Sequence, residues 1–264
     1  NCYIINFFLL AILEKGIAFA PQEIDEATGE AVVGSGTDIK IDPDRVFFFG
    51  HSQGGITGSM VAAFESRIKG YLLSGAGGAL SNAIMDRKDI TDFSALFRAQ
   101  LKLPSCSSAE QATTGCEFTS YHPAMSMLQG IVDITDPVNY APIWFRGDHV
   151  GHPVNIVLTQ GLGDEQTPST TLEALAVSGR VPLMEPVAES ILGLDLRGME
   201  PVLPPLSLNI ENEKGQKSGA GLFQFPDDEH DAVFKADNGA YLIYQSFFQS
   251  MKDGGDALIT WTGP

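Results

Sequence analysis

The chain has 264 residues, 44% of them hydrophobic, enough for one large domain with a substantial core or two modest ones. Its formal net charge of −17 and pI near 4.5 would repel a phosphate backbone or an anionic membrane surface. That balance argues against nucleic acid as a partner, and an acidic surface that serves solubility accounts for the charge.

The chain starts at Asn1 without a methionine, and "NCYIINFFLLAILEKG" is apolar from Cys2 to Leu13. This run is too short for a membrane span and lacks the basic start of a signal peptide. It predicts a buried helix stopped by Gly16, and a start inside a core helix suggests further sequence upstream. A turn-rich stretch ("DEATGE", "GSGTD", "DPDR") runs to Asp44. Next comes a strand over Arg45–Phe49. Phe47, Phe48 and Phe49 are apolar on both faces, which places this strand inside a sheet covered on both sides; left as an edge it would be a template for other chains, and because the visible strands mostly follow it, its other neighbour is expected upstream.

A helix is expected from about Gln53 to Glu65, with Gly58, Ser59, Ala62 and Ala63 permitting close packing, and "IKGYLLSGAGG" reads as a strand ending near Ser74. Residues 80–150 break the rhythm, with helical patterns such as "DFSALFRAQL" and "AMSMLQGIV" among Pro, Cys and Asp, and read as a helical cap. "VNIVLTQG" resumes the strands, "STTLEALAVSG" follows as a helix, "GAGLFQF" is the last strand and "DNGAYLIYQSFFQSMKDGG" a closing amphipathic helix. Strands alternating with helices predict an α/β fold with a mostly parallel sheet. The division is a core over 1–79, a cap over 80–150 and the rest of the core over 151–264.

There are three cysteines. Cys2 reads as a core thiol; Cys106 and Cys116, in a Ser/Thr-rich segment, either bridge a loop or are unrelated thiols. They do not determine the redox compartment, and a secreted or periplasmic location is favoured slightly over a cytoplasmic one.

In "VFFFGHSQGG", Gly50-His51-Ser52-Gln53-Gly54 matches the G-x-S-x-G nucleophile elbow, preceded by an apolar strand and followed by a small-residue helix as that motif requires. The serine sits on a strained turn, and Gly50 and Gly54 are expected there because β-carbons would meet neighbouring backbone. The turn would hold the hydroxyl above the sheet and aim a helix N-terminus at negative charge developing beside it. A bare Gly-rich turn is the alternative.

A serine hydroxyl needs a base within reach and a third group to orient that base. In a chain order of Ser, acid, His, only His230 of the five histidines lies beyond a candidate acid, in "FPDDEHDAVF". His51 is expected to pack beside the turn, and His122, His149 and His152 are read as loop or surface residues. The acid is Asp164 in "NIVLTQGLGDEQTP", with Glu165 the rival, because Gly161 and Gly163 allow a tight turn toward the histidine. Asp227, Asp228, Glu229 and Asp231 read as a solvated acidic loop. No paired His/Cys spacing accompanies them, so neither a metal nor another cofactor is called for.

With Ser52, Asp164 and His230 in that order, the chain resembles α/β hydrolases of the lipase and carboxylesterase kind, especially large bacterial ones whose elbow also reads "GHSQGG". The resemblance implies an eight-stranded, mostly parallel sheet of which this chain accounts for the later half. It also implies an oxyanion hole using the Gln53 backbone N–H and a second N–H from an earlier loop. No HGGG-like segment precedes Ser52. The implied activity is ester hydrolysis on a small-molecule or lipid ester, with Phe93–Leu103 and Met125–Val132 as either acyl-pocket lining or plain packing surface. "DITDPVNYAPIWF" is a pocket rim or a turn. A thioesterase, a peptidase or a non-catalytic protein of the same fold are the rivals, and the isolated chain is expected to be weakly active or prone to aggregate.

Overall fold

The structure is a computed structural model; it describes residues 2–16, 18–34, 36–87, 89, 92–103 and 120–261, without the side chains of residues 2–4. Cys106, Cys116 and the side chain of Cys2 lie outside the described residues. Among the described residues no helix is long and apolar enough to cross a membrane.

Helix α1 (Cys2–Leu13) is followed by four short strands, β1 (Ala18–Phe19), β2 (Gln22–Ile24), β3 (Ala31–Val33) and β4 (Ile39–Lys40). They pair antiparallel, β1 with β4 and β2 with β3. The stretch read as turns therefore holds hairpins, too short for side-chain periodicity to reveal. The Asp25 carboxylate shapes the inner turn, accepting from the N–H groups of Ala27 and Thr28 at 2.8 and 3.2 Å.

β5 (Val46–His51), α2 (Gln53–Val61) and β6 (Ile68–Ser74) come next, then α3 (Leu80–Asp86), α4 (Phe93–Gln100) and α5 (Pro123–Val132). Beyond a series of 3₁₀ turns lie β7 (Ile156–Gly161), α6 (Ser169–Gly179) and α7 (Leu192–Asp195). Short strands β8 (Leu206–Ser207), β9 (Ile210–Glu211) and β10 (Lys217–Ser218) precede β11 (Ala220–Phe225), α8 (Ala240–Lys252) and β12 (Leu258–Ile259).

β11, β7, β6 and β5 form, in that order, one parallel sheet. Alternation along each strand divides the core between its faces. Tyr71, Leu73, Ile156, Leu158 and Leu222 pack with Val61, Leu172 and Leu175 on the side of α2 and α6. Leu72, Val157, Phe223 and Phe225 pack with Ile243 and Phe247 of α8 on the other. Register aligns the C-terminal ends: His51 opposes Ser74, Ser74 opposes Thr159, and Gly161 opposes Phe225. The loops leaving β5, β7 and β11 consequently emerge at one edge of the sheet.

Two sequence expectations need correction, those for α1 and α2, and the strand expected to find its other neighbour upstream lies at the edge of the described sheet. Helix α1 is not buried: Leu10 packs against the core while Ile5, Phe8, Leu9 and Ile12 are exposed, because an all-apolar helix here meets a single packing surface. β5 is not interior among the described residues but ends the sheet, and Phe49 is 41% exposed even though Phe47 and Phe48 pack on opposite faces. Helix α2 ends at Val61 rather than near Glu65. The chain turns there because the buried Glu65 carboxylate accepts from Arg67 N at 2.9 Å and pairs with the Arg67 guanidinium, which also reaches Glu14 at 3.1 Å.

Residues 80–150 supply α3, α4, α5 and the 3₁₀ turns between β6 and β7. In "DITDPVNYAPIWF" the buried Asp136 carboxylate accepts from Ala79 N, Leu80 N, Val138 N and Gln129 Nε2 at 2.7–3.1 Å. Trp144, fully buried, donates Nε1–H to Ser59 O at 2.8 Å. The segment is a brace tying the loop after β6 and helix α2 to the body of the fold. The two methionines of α5 part company, Met125 buried and Met127 exposed.

The small face of α2 has a steric reason. A β-carbon on Gly58 would stand 2.4 Å from Phe48 Cε1 and 2.6 Å from Leu73 Cδ2. Gly58→Val should lower stability by about 1–3 kcal/mol through overpacking, read as a lower midpoint in chemical denaturation; an unchanged midpoint would contradict the packing described.

Candidate active site

The elbow forms where β5 runs into α2. Ser52 stands at φ 56° and ψ −123°, a conformation L-residues rarely adopt, and Gln53 opens the helix. Ser52 N donates to Ser74 O at 2.9 Å, which ties the turn to the end of β6. Gly50 is required: a β-carbon there would lie 2.5 Å from Gly54 O. At Gly54 itself a β-carbon would meet nothing within 4 Å, so the expected constraint falls one residue later. At Gly55 it would stand 2.9 Å from both Ser74 O and the Ala76 Cβ. Ser52 is half-buried and Gln53 exposed, with the Gln53 N–H in the first turn of α2, where it has no intrahelical acceptor.

Asp164 and His230 meet through close approach of two loops. A β-carbon on Gly161, at the end of β7, would lie only 2.0 Å from Glu229 O. Leu162 N donates to Phe225 O at 3.1 Å and Gly163 N to Asp228 O at 2.9 Å. Glycine is what lets the β7 and β11 loops run against each other. The result is a 2.7 Å hydrogen bond between His230 Nδ1 and Asp164 Oδ2, with both side chains buried. Asp164 Oδ1 accepts from Gln166 N and Thr167 N, each at 2.8 Å, so the carboxylate is held from two sides. In a neutral ring, Nδ1–H donated to Asp164 would leave Nε2 as a proton acceptor. The rival Glu165 is exposed.

His230 and Ser52 border the same short stretch. A β-carbon on Gly75 would stand 3.0 Å from His230 Cε1, and the adjacent Ser74 carbonyl holds the Ser52 amide. Among the described residues no hydrogen bond joins Ser52 Oγ to His230. Such bonds are often long without substrate and tighten in the reacting complex.

The loop carrying His230 departs from the expected solvated acidic loop at Asp228, which is buried. Its carboxylate accepts from Asn238 Nδ2 at 2.6 Å and from Lys235 Nζ, and it raises the proton affinity of that lysine. Asp227, Glu229 and Asp231 are exposed. Nothing in the run "DDEHD" marks which carboxylate turns inward; the partner Asn238 lies ten residues from Asp228 along the chain.

His51 packs beside the turn. Its ring lies 4.6 Å from that of His230 and 4.8 Å from Phe234, centroid to centroid. Nδ1 is 3.2 Å from Ser74 Oγ and Nε2 3.4 Å from Asp231 Oδ1. Burial, and then His230, hold the His51 imidazole below the ordinary histidine value, against the pull of Asp231 and Asp164. The other histidines lie elsewhere: His122 caps α5 by accepting from Ala124 N, the His149 ring packs tilted against Phe64, and His152 Nδ1 lies 3.0 Å from Pro153 O. Among the described residues no group of three or more His, Cys, Asp or Glu is placed to hold a metal ion.

The parallel sheet with helices on both faces, and the strand–turn–helix elbow at the C-terminal end of β5, make this an α/β-hydrolase fold. No family model matches the chain and no curated protein matches it. Solved structures similar to it include an acylaminoacyl peptidase in complex with Z-Gly-Gly-Phe-chloromethyl ketone, at 12% identity and TM-score 0.42, covering 84% of this chain and 25% of that one. Acetyl xylan esterase 1 from Thermoanaerobacterium sp. is similar at 16% identity and TM-score 0.32, with 72% and 42% covered. A Paleococcus ferrophilus monoacylglycerol lipase is similar at 12% identity and TM-score 0.35, with 78% and 68% covered. The chain thus spans a quarter of the peptidase and under half of the esterase.

Gly161→Ala should force the two loops apart and break the His230–Asp164 bond. The expected outcome is loss of the low-field proton resonance of a carboxylate-bound imidazole Nδ1–H in NMR spectra. A resonance unchanged in the variant would show that the loops tolerate a β-carbon there.

Proposed function

We propose that the chain is the catalytic part of a serine hydrolase that cleaves carboxylic esters through an acyl-enzyme, with Ser52 as nucleophile, His230 as general base and acid, and Asp164 orienting His230. The observation that carries this reading is the 2.7 Å His230 Nδ1–Asp164 Oδ2 bond at the same sheet edge as the strained Ser52 turn. Ser52 Oγ attacks the ester carbonyl as His230 Nε2 takes its proton, and the tetrahedral oxyanion is stabilised by the Gln53 N–H at the start of α2. Collapse expels the alkoxide, to which His230 returns the proton. Water, deprotonated by His230, then attacks the acyl-serine; collapse expels Ser52 Oγ, which takes that proton back from His230, and the acid is released. Esters are preferred to amides in this reading because an alkoxide leaves more readily than an amine; thioesters, whose thiolate leaves more readily still, are separated from esters by the substrate test below. In this reading residues 80–150 form a cap, whose α4 and α5 would border the acyl group.

A fluorophosphonate probe should label wild-type protein and fail on Ser52→Ala. On p-nitrophenyl esters of graded chain length, Ser52→Ala and His230→Ala should each lose about 10⁴–10⁶ in turnover with folding retained. Full activity in either variant would refute the assignment. Cleavage of peptide anilides or thioesters in preference to esters would replace the substrate class, and an unlabelled, inactive wild type would mark a non-catalytic protein of this fold.

A further inference from the structure

We propose that His51 is a positioning residue for His230: tied to Ser74 and Asp231, it holds the His230 ring beside the elbow and has to stay neutral while His230 carries a proton. This rests on the serine-hydrolase reading above. His51 directly precedes Ser52, and its ring stands 4.6 Å from the His230 ring, with Phe234 against it at 4.8 Å. A β-carbon on Gly75 would stand 3.0 Å from His230 and 3.5 Å from His51, so both rings share the space over one glycine.

The contacts fit one neutral tautomer: with Nε2–H directed to Asp231 Oδ1 at 3.4 Å, Nδ1 can accept from the Ser74 hydroxyl at 3.2 Å. Asp231 adjoins His230 on the loop after β11, while Ser74 also holds the Ser52 amide through its backbone carbonyl. One imidazole therefore bridges the nucleophile's turn and the loop of the base.

The charged groups facing His51 are His230 and Asp231 from the loop after β11 and Asp164 from the loop after β7. During reaction His230 gains the Ser52 proton and its charge lies against the His51 ring. A neutral His51 accommodates that charge, whereas a protonated one places a second cation beside it. As pH falls through the depressed His51 value, a second proton binds. Activity then requires both protons to leave, so the acid limb of log kcat/KM steepens from a slope of one toward two.

The test combines ring titration by NMR with kinetics on the full chain. His230→Gln should raise the His51 midpoint by roughly half a unit or more, about threefold in proton affinity. His51→Asn should lower kcat about tenfold with KM within about twofold, and keep an acid-limb slope of one. His51→Phe, which keeps a ring against Phe234 but cannot titrate, should show the same slope if Asn destabilises the turn. A His51 midpoint indifferent to His230→Gln, with wild-type slopes in both His51 variants, would overturn the positioning role while fluorophosphonate labelling of Ser52 persists. Absent labelling of the wild type would overturn the hydrolase reading, and this role with it, whatever the rings do.

Discussion

Everything at the C-terminal edge of the sheet depends on two loops being able to touch. Gly161 ends β7 where a methyl group would fall 2.0 Å from the carbonyl of Glu229, and only across that contact can Asp164 reach His230 at 2.7 Å. A buried carboxylate without partners is costly, but this one accepts two backbone N–H groups as well as the imidazole. The geometry is over-determined, with the loop of His230 pinned again through Asp228, Lys235 and Asn238. A side chain held at so many points has little freedom left to lose, which is the preorganisation that the proposed catalytic role would require.

The same logic holds at the elbow. Ser52 occupies a conformation that costs of order 1–3 kcal/mol, and that strain persists only because the surroundings leave the chain no alternative. The Ser74 carbonyl takes its amide, Gly50 and Gly55 admit backbone where side chains could not fit, and the buried α2 face presses on Phe48 and Leu73. Packing energy gathered over the two core faces is spent on one half-buried serine and one helix start. The brace of Asp136 and Trp144 extends the same rigidity to the loop after β6, over which both histidine rings lie.

Where periodicity is long the elements were legible in advance. α6, α8 and strands β6, β7 and β11 lie where alternation and helical spacing place them, since each buries a continuous face. Two of the misreadings share one origin. A run such as "NFFLLAIL" or "FFF" states an appetite for burial without stating what is available to satisfy it, so α1 and Phe49 are exposed despite their composition. The hairpins of β1–β4 are two or three residues long, below the length at which a pattern exists.

By itself, the sequence determined the local chemistry: a glycine-flanked serine between an apolar run and a small-residue helix, followed in order by an acid in a Gly-rich turn and a late histidine. It could do so because those features are short-range, set by sterics within a few residues. Only the tertiary structure decided which carboxylates turn inward, that Gly55 and not Gly54 carries the close approach, and that His51 lies against His230 and within reach of Asp231. Those outcomes depend on register between strands far apart in the chain, where a shift of one residue would carry every side chain to the opposite face.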